Sequence, residues 1–270
     1  MKVLSRTAGG VALVAGIVMG TWLLGTLGAM AGVILAMLGF QALTRGVEGQ
    51  RYVSAALVTT AGLIVIGWTH GVTLAQLGLG RSTWLTGIIW SLGIILAVGA
   101  VIGIAGGIPR FHKYFADDRV ADADGVLTSR RVLLDIPFGT VLVEEYAFRG
   151  LLLALMTTQW GVVWAVVITS VLFGLWHIGP AMEMHSAHQE ATGHVLVTVA
   201  STVLFTGLSG VGFALLRLFT GSLFPPSALH WAANGTGVVV GFFVNRRLRA
   251  IAADAEDDPH PQPGIDRDEP

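Results

Sequence analysis

The chain has 270 residues, of which 53% are hydrophobic and only 12% charged, and its mean hydropathy is +0.71. Soluble chains run at about 25% charged residues, so 16 Lys+Arg and 17 Asp+Glu exclude a soluble enzyme, a nucleic-acid binder and a disordered chain. They imply an all-α, polytopic bundle of transmembrane helices, with the lipid bilayer as a partner and no nucleic acid. The net charge of −1 gives no sign of an anionic polymer as partner, and the absence of cysteine removes disulfides, iron-sulfur clusters and thiolate metal sites.

No charged residue occurs from Thr7 to Thr44. That run exceeds one span of about 20 residues and predicts a helical hairpin turning near Gly25 to Gly28. Lys2 and Arg6 make a basic start, but the apolar run is longer than a signal peptide's core of about 7–15 residues, so no cleaved signal is expected. Further apolar segments at 53–69, 84–106, 132–157, 162–178, 194–219 and 224–245 bring the expectation to about eight spans. Glycine is frequent, at 36 residues, and small residues let membrane helices approach closely; Gly99, Gly103 and Gly106 fit that use. Tryptophans such as Trp22, Trp68, Trp84 and Trp160 fall near span ends and read as interfacial anchors.

With the N-terminus in the cytoplasm, Lys2, Arg6, Arg45, Arg51, Arg110, Lys113, Arg119, Arg130, Arg131, Arg246, Arg247 and Arg249 all fall on the cytoplasmic side. Among the loop residues only Arg81 falls on the other side. This asymmetry follows the positive-inside rule and sets both termini in the cytoplasm. Residues 1–251 read as one integral domain of a multi-pass cell-membrane protein, and 252–270, acidic and proline-rich, as a disordered cytoplasmic tail.

Charges inside a span each cost about 2.5–3.5 kcal/mol at mid-membrane and mark functional sites by default. The 132–157 span carries Glu144, Glu145 and Arg149. Glu145 and Arg149, four apart, share a helical face and can pair, while Glu144 points roughly 100° away. The next span has Phe173 and His177 at the same spacing, and the last has His230 and Asn234. Three helices thus each present a polar or aromatic pair on one face, enough to line a wet cavity.

In order, EExxxR, FxxxH and HxxxN resemble the motifs of the CPBP family, the CAAX prenyl endopeptidases and bacteriocin-processing (Abi) proteins. EEYAFRG is similar to that family's EE-x-x-FRG signature, and TGSLFPPSALHWAAN to its TGSL segment with H-x-x-x-N. The resemblance covers roughly 130–240, within a motif-bearing core of 130–245. It implies intramembrane hydrolysis of a peptide bond in a membrane-associated peptide or protein. Amide hydrolysis needs an activated water, a stabilised oxyanion and a protonated leaving amine. Glu144 suits the base, His177 the positioning of water, His230 and Asn234 the oxyanion, and Glu145 with Arg149 the geometry of the first helix; either glutamate can face the cavity. Glu144, His177 and His230 also make a plausible zinc ligand set, and the resemblance implies either a zinc enzyme or a metal-free mechanism.

Span boundaries place His177 and His230 roughly 18 Å apart in height, at about 1.5 Å per residue. A shared site therefore predicts that the 224–245 helix begins deeper, with Pro225 and Pro226 in a re-entrant or unwound stretch. Of the remaining polar groups, Pro180 to His194 reads as a polar cytoplasmic loop without fixed geometry, Arg217 as snorkelling to the interface, and Asp135 as a partner for Arg130 or Arg131. Two other functions fit the same residues: a non-catalytic scaffold or immunity-type peptide-binding protein, and a small transporter. A transporter would favour inverted repeats, and none is detected.

Overall fold

A computed structural model of the protein describes residues 24–115, 124–187 and 194–256. Among them the protein is all-α, without strands. The helices are α1 (Gly25–Thr44), α2 (Gln50–Thr69), α3 (Trp84–Gly107), α4 (125–160), α5 (Val162–Trp176), α6 (Ile178–Ala187), α7 (Val195–Thr220) and α8 (Phe224–Glu256). Every apolar segment expected from the described residues is there; the helices over 132–157 and 224–245 run further, to 125–160 and 224–256, the others end within a few residues of expectation, and α1 starts where the hairpin turn was expected. The first expected span lies outside the described residues.

Among the described residues five helical stretches are long and apolar enough to cross a membrane: Gly25–Thr44, Gln50–Thr69, Arg81–Gly107, Val162–Glu183 and Val195–Thr220. The other two described helices expected to span, α4 and α8, hold the polar motifs, whose charges dilute their apolar character. Loops assigned to one side by charge meet one another. The Arg130 guanidinium lies on Gly49 between α1 and α2, and at the other end Leu223 N–H donates to Gly78 O at 2.8 Å.

Helix α4 is the axis of the bundle. Residues 143–156 are all buried, in one core with Ala29, Val33 and Phe40 of α1, Leu63 and Ile66 of α2, and Ala165 and Phe173 of α5. A helix enclosed on every side cannot release a charge to water, so its charges must be partnered within the protein. Its winding is uneven. Leu142 N–H reaches back five residues to Pro137 O, and Leu153 N–H reaches back to Phe148 O. Pro137 has no N–H to give the helical ladder, and wide turns are how a helix absorbs such a break. The α-helical turn Leu142–Glu145 that bears both glutamates lies between the two wide stretches, Arg131–Val141 and Tyr146–Leu152, as such turns often flank functional sites.

Helices α5 and α7 meet backbone to backbone. A Cβ on Gly174 would stand 2.7 Å from Val203 O and 3.2 Å from Gly207 Cα, a contact only glycine permits. Helix α3 packs along α8 through Gly106, against Val240, whereas Gly99 and Gly103 face open space. Close approach therefore explains only one of those three glycines. Helix α3 also meets Ser222 and Phe224 at Gly87, and its outer face leaves Leu85, Leu96, Val101 and Ile104 exposed.

Several local expectations are corrected. Pro225 and Pro226 are fully buried in the first turn of a regular helix, not in an unwound stretch, because the first-turn N–H groups need no intrahelical acceptor. The turn before them, Ser222 and Leu223, is itself buried. Residues 178–187 are helical, not loop: Pro180 sits in the first turn, and AMEMHSA has good helix formers. Helix α8 runs to Glu256, so 252–256 are helical, and 257–270 lie outside the described residues. Arg217 does not snorkel. It is buried and donates from Nη2 to Gln76 O at 2.8 Å, in space that Gly78 leaves by having no side chain. Asp135 does face Arg130, at 3.7 Å.

Candidate active site

The site is built around the Leu142–Glu145 turn. Glu145 Oε1 accepts two hydrogen bonds, from Arg149 Nη1 at 3.1 Å and from His230 Nδ1 at 2.9 Å. The i, i+4 pairing expected from the sequence is thus made, and it reaches across to α8. Arg149 is 2% exposed and Glu145 1%. The guanidinium carbon sits 3.7 Å from the ring centroid of Phe173 and 4.9 Å from that of Phe213, close enough for cation–π attraction in a desolvated setting.

Glu144 is bound differently. Its Oε1 accepts from the indole Nε1 of Trp176 at 3.0 Å. Its Oε2 is buried without a protein partner and faces His230 Nε2 at 3.9 Å. Because Nδ1 of His230 is engaged with Glu145, Nε2 is the imidazole nitrogen left to work beside Glu144. Glu145 Oε2 and Arg149 Nη2 are also buried and unpartnered. Such groups are rare in folded proteins and need a reason; three of them gather here in an otherwise apolar bundle.

His177 lies at the rim. It follows the last residue of α5, is half-buried, and its Nδ1 hydrogen-bonds Phe173 O at 2.8 Å. The carbonyl can only accept, so Nδ1 carries the proton and Nε2 presents its lone pair. The Phe173 ring touches both histidines, with centroids 4.6 Å from His177 and 6.2 Å from His230. The expected difference in height is therefore bridged by a single phenyl ring. Asn234, one turn beyond His230, is exposed.

The structure thus brings Glu144, Glu145, Arg149 and His230 into direct contact and leaves His177 and Asn234 on the periphery. Among the described residues no group of three or more His, Cys, Asp or Glu side chains is arranged to hold a metal ion. Glu144 and His230 converge, but His177 does not join them, and a catalytic zinc needs three protein ligands.

Two participants were not legible in the sequence as site residues, Trp176 and Phe213. Trp176 stands near a span end, where tryptophan reads as an interfacial anchor. Trp68, Trp84 and Trp160 are exposed, whereas Trp176 is buried. The available signal was its position three residues after Phe173, which puts it on the motif-bearing face of α5.

Residues 129–236 match the Rce1-like family model, described as type II CAAX prenyl endopeptidase Rce1-like. No curated protein and no solved structure matches the chain. The matched segment holds all three motifs and all six candidate residues. Over that segment the chain is similar to the type II CAAX prenyl endopeptidase family, in agreement with the motif resemblance.

Proposed function

We propose that the protein is an intramembrane endopeptidase of the cell membrane, with both termini cytoplasmic, that cleaves a membrane-associated peptide or protein by a water activated at Glu144. The observation that carries this is the pair of free atoms 3.9 Å apart, Glu144 Oε2 and His230 Nε2, backed by Glu145 and Arg149. One water or one substrate oxygen reaches both at ordinary hydrogen-bond lengths.

The steps follow from the partners. Glu144 Oε2 takes a proton from water, and the resulting hydroxide adds to the scissile carbonyl carbon. His230, protonated on both nitrogens, donates Nε2–H to the oxyanion, while Glu145 holds Nδ1–H and supports the imidazolium, as the carboxylate does in a carboxylate–histidine dyad. When the tetrahedral intermediate collapses, the C–N bond breaks and Glu144 returns its proton to the leaving amine. Arg149 balances the charge of Glu145, so the second carboxylate stays a positioning group and Glu144 alone is the reagent. His177 Nε2 and the Asn234 amide bind substrate backbone at the rim. No step calls for a metal.

The test begins with a deletion strain, whose membrane and secreted proteomes are compared with the parent to find an uncut substrate. Purified wild type is then compared with Glu144→Ala and His177→Ala on that substrate in detergent. Cleavage by wild type that is lost in Glu144→Ala is expected. Unchanged processing in both variants would remove the protease and leave the scaffold.

A further inference from the structure

We propose that Trp176 and Gln41 are positioning residues: the Trp176 indole holds Glu144 in its working orientation, and helix α1 holds Trp176. The functional half of this rests on the endopeptidase proposal; the geometric half does not.

A glutamate's terminal torsion is broad, so an unrestrained Glu144 would spread its two oxygens over many directions. Indole has one donor and no acceptor. Its single bond to Oε1, at 3.0 Å, therefore fixes the carboxylate plane and turns Oε2 toward His230. The indole is itself held from two sides. Its ring lies nearly parallel to that of Phe40 of α1, with centroids 6.4 Å apart and an interplanar angle of 12°. Its backbone carbonyl accepts from Gln41 Nε2 at 2.9 Å.

The Gln41 bond follows from the sequence. In a helix the Trp176 carbonyl would accept from the N–H of residue 180, but residue 180 is proline and has none. The carbonyl is orphaned by Pro180, and Gln41 supplies the missing donor from another helix. The Gln41 amide lies against Gly179, where a Cβ would meet it at 3.1 Å. Residues Phe40 and Gln41 lie outside the segment 129–236 that matches the family model. The site therefore extends into α1, through Gln41 and Phe40 to Trp176 and on to Glu144.

The test uses the full chain in nanodiscs with 15N-labelled tryptophan. Incorporation of 3-benzothienylalanine at position 176 keeps the ring shape and deletes the N–H, so the indole resonance that disappears belongs to Trp176. Glu144→Ala is expected to move that resonance upfield in the proton dimension as the charge-assisted bond is lost. Gln41→Leu is expected to broaden or split it. A resonance unmoved by Glu144→Ala overturns the proposal. On the substrate found by the proteome comparison, the isostere is expected to lower kcat by about 100-fold with KM unchanged, the scale of a small misplacement of a reacting group; full kcat in a folded isostere would also overturn it. If the resonance responds as expected but wild type cleaves nothing, the endopeptidase proposal falls and the contact stands.

Discussion

Arg149→Met keeps most of the side chain's volume and removes the cation that balances Glu145. Hydrogen bonds between membrane helices average only about 0.6 kcal/mol in double-mutant cycles, so loss of an ordinary polar contact would hardly register. Deleting one partner of a buried ion pair is a different perturbation and costs about 3–5 kcal/mol, because the other charge remains behind unpaired. The second case applies in part here, since both side chains are at most 2% exposed and their contact is 3.1 Å, while His230 Nδ1 stays bonded to Glu145 Oε1 and holds this loss to the low end of the range, about 3 kcal/mol. The stacking of the guanidinium on Phe173 adds to the loss, up to about 2 kcal/mol where desolvated. Arg149→Met is therefore expected to lose about 3–5 kcal/mol, and Glu145→Gln in the same chain to recover a large part of it. Unfolding by SDS titration in mixed micelles, followed by helicity, measures both. A double variant as unstable as the single, or a single variant within about 1 kcal/mol of wild type, would refute the buried-charge argument.

Gly174→Val is expected to destabilise by about 1–3 kcal/mol through overpacking, since the atoms it meets are backbone, whereas Gly99→Val in open space stays close to wild type in thermal shift; equal shifts would refute the close-approach reading. Arg217→Met is expected to speed amide hydrogen exchange across residues 71–80, because the Gln76 carbonyl loses its donor; unchanged exchange would show that this loop holds itself. His230→Ala is expected to lower kcat by about 100-fold or more, as loss of an oxyanion donor does, while Asn234→Ala mainly raises KM. The reverse order would move the oxyanion contact to Asn234. Metal analysis of purified wild type and His230→Ala is expected to find no stoichiometric zinc in either; one zinc per chain in wild type that is lost in the variant would bring an ion into the mechanism.

The apolar part of each described helix was legible in the sequence because a membrane span is defined by a local property, a run of apolar residues of fixed minimum length, whereas the polar extensions of α4 and α8 were not. The Glu145–Arg149 pair was legible for a similar reason, since helical periodicity puts i and i+4 on one face whatever surrounds them. Arg217 and Trp176 were not. Each stands near a span end, where average behaviour sends arginine and tryptophan to the interface, and each is instead captured by a partner distant in the chain: Gln76 for Arg217, Glu144 for Trp176. Helix α6 escaped notice because its polar composition resembles a loop, and its helicity follows from a restart after His177.

By itself the sequence determined that the chain is an α-helical membrane protein, which of its helices carry charge, and which six residues bear the family's motifs, because composition and periodicity are sums over neighbours in the chain. Only the tertiary structure decided how those residues divide the work. Glu144 and Glu145 are adjacent and chemically identical, and helical spacing distinguishes them only by giving Glu145 a partner in Arg149. Arg149 and His230 occupy the same oxygen of Glu145, while Trp176 takes one oxygen of Glu144 and leaves the other free. The difference between anchor and reagent is a difference in partners, and those partners come from three separate helices.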